Sequence, residues 1–215
     1  MKTTSMIFTL LFLASCGGGG GGGNSASSGK KNAQPVALEE INLEGNTPVA
    51  AQTFDINLQL KGFQTNHEDK VNEAKELIKQ VIASDEFKNE VLGHTYQGKR
   101  QFADNNGLSN EQIYKKILEG SENLTPGKNN QMDLHLEAYT DPKSITVGYT
   151  FKTAKKIWMN TKYLSMYPAA KITTNMVHEW LHKLGFGHDA DATKKRPYSV
   201  PYAVGYIVRD LALKM

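Results

Sequence analysis

The chain has 215 residues, a length that suits one globular domain with an additional tail. Hydrophobic residues make up 39% and charged residues 22%, as in ordinary soluble globular proteins. The net charge is only +3 and the basic residues are spread along the chain, so composition does not favour a nucleic-acid-binding protein. Cys16 is the only cysteine, which excludes an intramolecular disulfide and a cysteine-ligated metal site in the folded body.

The N-terminal residues have the pattern of an export signal. Lys2 precedes an apolar run over residues 6–13, which is too short to span a bilayer, and the run ends in Leu-Ala-Ser-Cys at Cys16. This ending resembles a bacterial lipoprotein signal, whose peptide is cleaved before the cysteine. The resemblance implies a signal peptide over 1–15, a lipid on Cys16 and an anchored location at the bacterial cell envelope. A buried helix with an incidental cysteine is the alternative.

A glycine-rich segment follows the cysteine. Residues 17–23 are all glycine, and small polar residues come next. Such a stretch has nothing to bury and loses much backbone entropy if it is ordered. We therefore expect residues 16–50 to form a flexible tether and residues 51–215 to form the functional domain. Residues 30–50 could also shield the site of that domain, although nothing in the sequence requires it.

Strand and helix patterns alternate through the predicted domain. The predicted strands lie at 54–60, 132–138, 145–151 and 157–160, and the predicted helices at 67–83, 85–92, 109–120, 169–184 and 203–214. The third helix carries Ser109 as N-cap, Gln112 at the capping-box position and Gly120 at its end. This order predicts a mixed α/β (α+β) domain.

The residues that carry chemistry lie in the segment 178–188, which reads His-Glu-Trp-Leu-His-Lys-Leu-Gly-Phe-Gly-His. His178 and His182 are four residues apart, so on a helix both imidazoles face one ion, and Glu179 lies beside them. Gly185 can adopt a left-handed conformation and turn the chain back, which lets His188 arrive as a third ligand. Neutral imidazoles at this spacing suit a single zinc ion with one open position.

This segment resembles the extended zinc signature of the metzincin metalloendopeptidases. The resemblance implies His178, His182 and His188 as zinc ligands, with Glu179 as general base. It also implies a mixed twisted sheet with an active-site helix, a C-terminal helix and an antiparallel edge strand that pairs with the substrate backbone. Ile145, Val147 and Tyr149 lie in the segment expected to form that edge. Asp189 is expected to be structural.

One feature of the family pattern is missing after His188. Metzincins place a methionine in a tight turn beneath the metal, whereas Met215 is the only later methionine here. The stretch 199–205 is predicted to be that turn, with Pro201 at the methionine position. Tyr202 is then a candidate hydrogen-bond donor to the transition state or a further ligand. A packed turn tyrosine is the alternative, and Tyr198 and Tyr206 compete for the same role.

The function that these patterns predict is zinc-dependent peptide-bond hydrolysis at the cell envelope, with Glu179 moving the proton. The expected partners are a protein or peptide substrate and, through Cys16, a membrane. No nucleic acid is expected, and the protein is expected to be a monomer. A catalytically silent zinc domain that binds a peptide or an envelope partner is the alternative, and zinc storage is a third hypothesis.

Overall fold

The computed structural model describes residues 54–215. The predicted signal peptide 1–15, the lipidated Cys16 and the tether over 16–50 lie outside these described residues. Within 54–215, none of the helices combines the length and apolar character needed to cross a bilayer.

Four strands and six α-helices make up this part of the chain. In chain order they are β1 (Asp55–Lys61), α1 (Thr65–Ile82), α2 (Asp85–Gly93), α3 (Asn110–Glu119), β2 (Gln131–Tyr139), β3 (Gly148–Thr150), β4 (Lys156–Asn160), α4 (Thr161–Met166), α5 (Ala169–Lys183) and α6 (Val200–Ala212). The predicted capping box of α3 is present, with Ser109 and Gln112 bonding each other's backbone. Gly120 ends that helix at φ +64°, in the left-handed region that favours glycine.

The sheet has the strand order β1-β2-β4-β3. The pairs β1–β2 and β2–β4 are parallel, whereas β3 is antiparallel to β4 and lies at the edge. This is the mixed α+β fold with an antiparallel edge strand that the sequence predicted. Because β3 is the last strand in the order, its outer backbone groups have no strand partner within the described residues.

One face of the sheet is covered by helices and forms the core. Met132, Leu134 and Leu136 of β2 and Ile157 and Met159 of β4 alternate onto this face and are buried. The helices α1, α5 and α6 contribute the facing apolar side chains. The opposite face carries polar residues and half-buried aromatic side chains, so the pattern of period two in the strands is kept.

The structure corrects the length of the predicted strand over 145–151, since only Gly148–Thr150 is regular strand. Ile145 is 91% exposed and lies outside it, although the carbonyl of Val147 still accepts a hydrogen bond from the backbone of Asn160. The Asn160 side chain donates to the carbonyls of Asp141 and Thr146. Side-chain hydrogen bonds therefore replace the ladder before β3, which single-strand alternation does not reveal.

The sequence did not predict helix α4, and its prediction of a tight turn over 199–205 was wrong. The segment 199–205 is not a tight turn: Ser199 is the N-cap of α6, and a short 3-10 turn over Arg196–Tyr198 precedes it. Pro201 lies in the first turn of α6, where its fixed φ and missing N–H cost nothing because the first N–H groups of a helix have no acceptor. Proline therefore begins this helix three residues earlier than the predicted start at 203.

Candidate metal centre

Helix α5 carries the first two histidines and ends in a left-handed glycine. The N–H of Phe186 bonds the carbonyl of Leu181, and the N–H of Gly185 bonds the carbonyl of His182, which together make a Schellman motif. Gly185 has φ +94°, a region that side chains with a Cβ rarely adopt. Phe186 and Leu181 are both fully buried and seal the turn from inside. The chain therefore reverses where the sequence placed Gly185.

This reversal brings the three predicted histidines together. The Nε2 atom of His178 lies 3.2 Å from the Nε2 atom of His182 and 3.2 Å from that of His188. The three residues form a group that could hold a metal ion, and His178 is the most buried of them. Three nitrogens at about 2.0–2.1 Å from a tetrahedral ion would be about 3.3 Å apart. The observed spacing fits such an ion.

The other ring nitrogens explain why the Nε2 atoms converge. Nδ1 of His182 lies 2.8 Å from the carbonyl oxygen of Phe186, and Nδ1 of His188 lies 2.8 Å from that of Asp189. His178 bonds the backbone of Pro201, which must act through its carbonyl because proline has no N–H. A neutral imidazole carries one N–H, so donation from Nδ1 of His182 and His188 leaves a lone pair on the Nε2 atom of each of these rings. Converging lone pairs repel one another unless a cation lies between them.

Burial also keeps the imidazoles of His178 and His182 in the form that binds metal. Desolvation lowers the pKa of His178 well below its usual value, and the neighbouring histidines lower it further. The pKa of His182 is lowered as well, again mainly by burial. A lowered pKa favours the neutral ring, and only the neutral ring can be a ligand.

Glu179 lies beside the histidines, with 5% of its surface exposed. Its Oε1 atom accepts a hydrogen bond of 3.3 Å from Nδ2 of Asn175, one turn earlier on α5, and the backbone of Thr150 also bonds the carboxylate. Burial outweighs these two hydrogen bonds and raises the pKa of Glu179 to about 7. A carboxyl group with this pKa can both accept and return a proton near neutral pH.

Tyr202 is the only one of the three candidate tyrosines that packs directly against the histidines within the described residues. Its ring centroid lies 4.5 Å from that of His178 and 4.8 Å from that of His188. Burial raises its pKa, which keeps the hydroxyl protonated as a donor. Tyr206 lies one turn further along α6 and lines the same cleft. Tyr198 is 44% exposed, packs against Tyr96 and does not line the cleft.

A cleft of about 540 Å³ runs past the metal centre. One wall is the segment 145–150, which includes all three predicted edge residues, Ile145, Val147 and Tyr149. The floor is α5, and the opposite wall comes from α6 and the preceding turn. The helices approach closely at Gly205, where an added Cβ would lie 3.1 Å from the carbonyl oxygen of Thr174. Glycine at this crossing lets Tyr202 reach His178.

The loop after His188 is held by ion pairs. Lys195 lies 3.2 Å from the Asp189 carboxylate and 2.7 Å from that of Asp104, and Thr193 donates to Asp189. Asp189 therefore contacts the loop through its side chain, while its carbonyl orients His188. This geometry gives Asp189 a structural role, in agreement with the expectation from sequence.

A buried ion pair lies behind α5. Nζ of Lys183 is 3.1 Å from Oε2 of Glu122, and both side chains are under 5% exposed. Glu122 also accepts hydrogen bonds from the indole of Trp180 and the backbone of Asp133. The backbone N–H of Asn123 bonds the carbonyl of Lys183, so this loop is fixed to the end of α5 just before the glycine turn.

Several residues that shape the site were missed at the sequence level. Asn175 had a detectable signal, because it lies four residues before Glu179 on the predicted helix. Thr150 and Pro201 contribute backbone groups, which side-chain patterns cannot reveal. Arg196 places its guanidinium 4.9 Å from the ring centroid of Tyr202, and nothing near it in sequence indicated this contact.

Comparison with known proteins adds no relative: no family model, no curated protein and no solved structure matches this chain. The site must therefore be interpreted from its own geometry.

Proposed function

We propose that this protein is a zinc-dependent metalloendopeptidase of metzincin type. The observation that carries the proposal is the convergence of three Nε2 atoms beside a buried carboxyl group with a pKa of about 7. An all-imidazole set suits zinc better than calcium or magnesium, which prefer oxygen ligands. Zinc, when bound, supplies a Lewis acid that lowers the pKa of a coordinated water molecule to near neutral.

The chain's own residues account for the proton transfers. Glu179 takes a proton from the attacking water molecule and delivers it to the amine that leaves when the peptide bond breaks. Asn175 holds the carboxylate of Glu179 through its side-chain amide. Tyr202 lines the cleft and its hydroxyl is protonated, so it can donate a hydrogen bond to the oxyanion that forms from the peptide carbonyl.

Strand β3 supports binding of an extended peptide. Its outer edge lies along the cleft and has no strand partner within residues 54–215, so a peptide can add to the sheet there. Backbone hydrogen bonds would hold the peptide over α5, with one carbonyl near the histidines. If the lipid anchor predicted at Cys16 is present, the substrate is a protein of the cell envelope.

The test is metal analysis combined with peptide cleavage by wild type and Glu179→Gln. We expect both proteins to bind one zinc ion, while the variant loses at least about a hundredfold in kcat/KM because its amide cannot accept the proton. Glu137→Gln, which removes a half-buried carboxylate on β2 outside the cleft, is the matched control and should cleave like wild type. Equal cleavage by wild type and Glu179→Gln would refute the assignment.

The same experiment separates the alternative functions. A zinc-loaded wild-type protein that cleaves no member of a diverse peptide library, yet binds some of them, would be the catalytically silent binding domain. Weak and rapidly exchanging zinc would instead favour storage or delivery.

A further inference from the structure

We propose that the cleft selects peptides with a carboxylate on the C-terminal side of the cleaved bond. This inference rests on the proposed peptidase function and names the substrate class of that site. The observation behind it is an excess of positive charge along the cleft, beyond the three histidines.

The residues that line the cleft include three cations and one carboxyl group. The cations are Lys171 on α5, Arg196 in the turn before α6, and Arg209 on α6, and the carboxyl group is Glu179. The three cations outnumber the carboxyl group even when Glu179 is ionised. A low-dielectric cleft lined by one sign of charge concentrates ligands of the opposite sign.

Two of the three cations have no acidic partner among residues 54–215. Lys171 lies 3.9 Å from the ring centroid of Tyr167 and forms no ion pair there. Arg196 donates to the carbonyl of Ala190, but its buried Nε atom has no hydrogen-bond partner in this part of the chain. Arg209 is paired with Asp210 at 2.7 Å, although that carboxylate is 54% exposed. An exposed pair of this kind is weak and can be exchanged for a ligand carboxylate.

The helices place Lys171 and Arg209 at the same end of the cleft. Tyr202 packs on His178 and Gly205 packs on Thr174, so α6 runs antiparallel to α5. Arg209, one turn beyond Gly205, therefore lies toward Lys171. Lys171 precedes His178 by seven residues, which is about 10 Å along a helix axis. An extended peptide covers that distance in about three residues.

The direction of β3 decides which side of the peptide reaches these cations. Gly148 lies against Asn175, and Thr150 lies against Glu179, so β3 runs in the same sense as α5. Antiparallel pairing is the more stable arrangement for an added strand. In a peptide that pairs antiparallel with β3, the residues after the cleaved bond extend from the histidines toward Lys171. A carboxylate two or three residues after the cleaved bond then meets Lys171 and Arg209.

The carboxylate could belong to an Asp or Glu side chain or to the C-terminus of the peptide. The experiment uses peptides with one cleavable bond in a neutral sequence, amidated at the C-terminus. Each carries Asp or Asn at one of the three positions before or after the bond. A further neutral peptide ends in a free carboxylate three residues after the bond. The kcat/KM of the full-length wild type and the Kd of zinc-loaded Glu179→Gln are measured for each.

We expect Asp at the second or third position after the bond to raise kcat/KM and lower Kd about tenfold relative to Asn. The difference should be smaller at 0.5 M NaCl because salt screens the interaction. The free-carboxylate peptide shows whether a terminal carboxylate serves equally. The double variant Lys171→Gln Arg209→Gln should reduce this ratio to below about threefold. Lys88→Gln, an exposed lysine on α2 outside the cleft, is the matched control and should keep the full ratio.

The Kd measurements test this inference separately from the proposed function. Equal Kd values for the Asp and Asn peptides would overturn the inference even if wild type cleaves both. A tenfold difference in Kd that depends on Lys171 and Arg209 would support it even if nothing is cleaved. A preference for Asp before the bond would overturn the direction derived from β3.

Discussion

Nδ1 of His182 lies 2.8 Å from the carbonyl oxygen of Phe186, four residues later in the chain. The carbonyl becomes available only because the helix ends and Gly185 turns the backbone. The turn therefore does two things: it brings His188 to the site, and it orients the ring of a ligand that precedes it. This coupling leads to the first prediction.

Gly185→Ala should weaken both zinc binding and the fold. A Cβ at φ +94° is strained, and it would lie 3.0 Å from the side chain of Asn123. We expect a loss of about 1–2 kcal/mol in the free energy of unfolding and at least a tenfold loss in zinc affinity as His188 and the Phe186 carbonyl shift. Chelator competition measures the affinity.

Gly187→Ala is the matched control for that variant. Gly187 lies two residues further in the same turn, and an added Cβ there meets nothing within 4 Å. Its zinc affinity should equal that of wild type. If both alanine variants bind zinc like wild type, the left-handed turn does not determine the ligand geometry.

Tyr202→Phe should lower kcat about a hundredfold and leave KM nearly unchanged. The hydroxyl is expected to act on the charge that develops in the transition state, whereas the ring packing against His178 and His188 is kept by phenylalanine. Single-turnover kinetics with a neutral peptide measure the effect. Tyr206→Phe removes a hydroxyl from the same cleft and should change kcat by less than about threefold. A normal kcat for Tyr202→Phe would leave Tyr202 with a packing role alone.

Lys183→Met should destabilise the protein by about 3–5 kcal/mol, because it leaves the carboxylate of Glu122 buried without its cation. Urea denaturation of the zinc-free protein measures the loss. The double variant Lys183→Met Glu122→Gln should recover part of it by removing the buried charge. Lys61→Met breaks the exposed pair with Glu137 and should cost less than about 1 kcal/mol. Similar losses for Lys183→Met and Lys61→Met would contradict the assignment of a critical buried pair.

Glu179 should make the stability of the zinc-free protein depend on pH. Its pKa is raised from 4.5 to about 7 on folding, so the folded state holds its proton more tightly than the unfolded state. The stabilisation is complete below pH 4.5 and is lost as pH rises through 7. The free energy of unfolding of wild type relative to Glu179→Gln should therefore fall by about 3 kcal/mol between pH 4.5 and pH 8.

The comparison with Glu179→Gln isolates this group from the histidines. Burial lowers the pKa of His178 and His182, which stabilises the fold as pH rises, but this contribution is common to both proteins. Urea denaturation at several pH values in the presence of a chelator gives the difference. A difference that does not change with pH would show that Glu179 has an ordinary pKa.

Sequence patterns predicted the parts of this structure that depend on neighbours in the chain. Helix α3 with its capping box, and the glycine turn after α5, follow from local backbone chemistry. The spacing of the three histidines is also local, because one helix and the turn after it determine where they lie. The mixed sheet with its antiparallel edge strand also agrees with the predicted fold class.

The differences arise where distant residues meet. The shortened β3 depends on the side chain of Asn160, which bonds carbonyls 14 and 19 residues earlier in the chain. The pair between Glu122 and Lys183 joins a loop to the end of α5, and these two segments carry no shared pattern. Arg196 reaches Tyr202 only because Ser199 ends a 3-10 turn and begins α6 directly. Each is a tertiary contact that periodicity cannot encode.

The compactness of the ligand segment has a consequence for folding. His178, His182 and His188 lie within eleven consecutive residues, whereas the pairing of Asp55 with Gln131 in the sheet closes a loop of 76 residues. Closing the short loop between His178 and His188 costs the unfolded chain little entropy, so an ion can bind all three histidines before the sheet forms. Zinc would then bind the unfolded chain appreciably, and it would raise the melting temperature by less than its affinity for the folded protein implies.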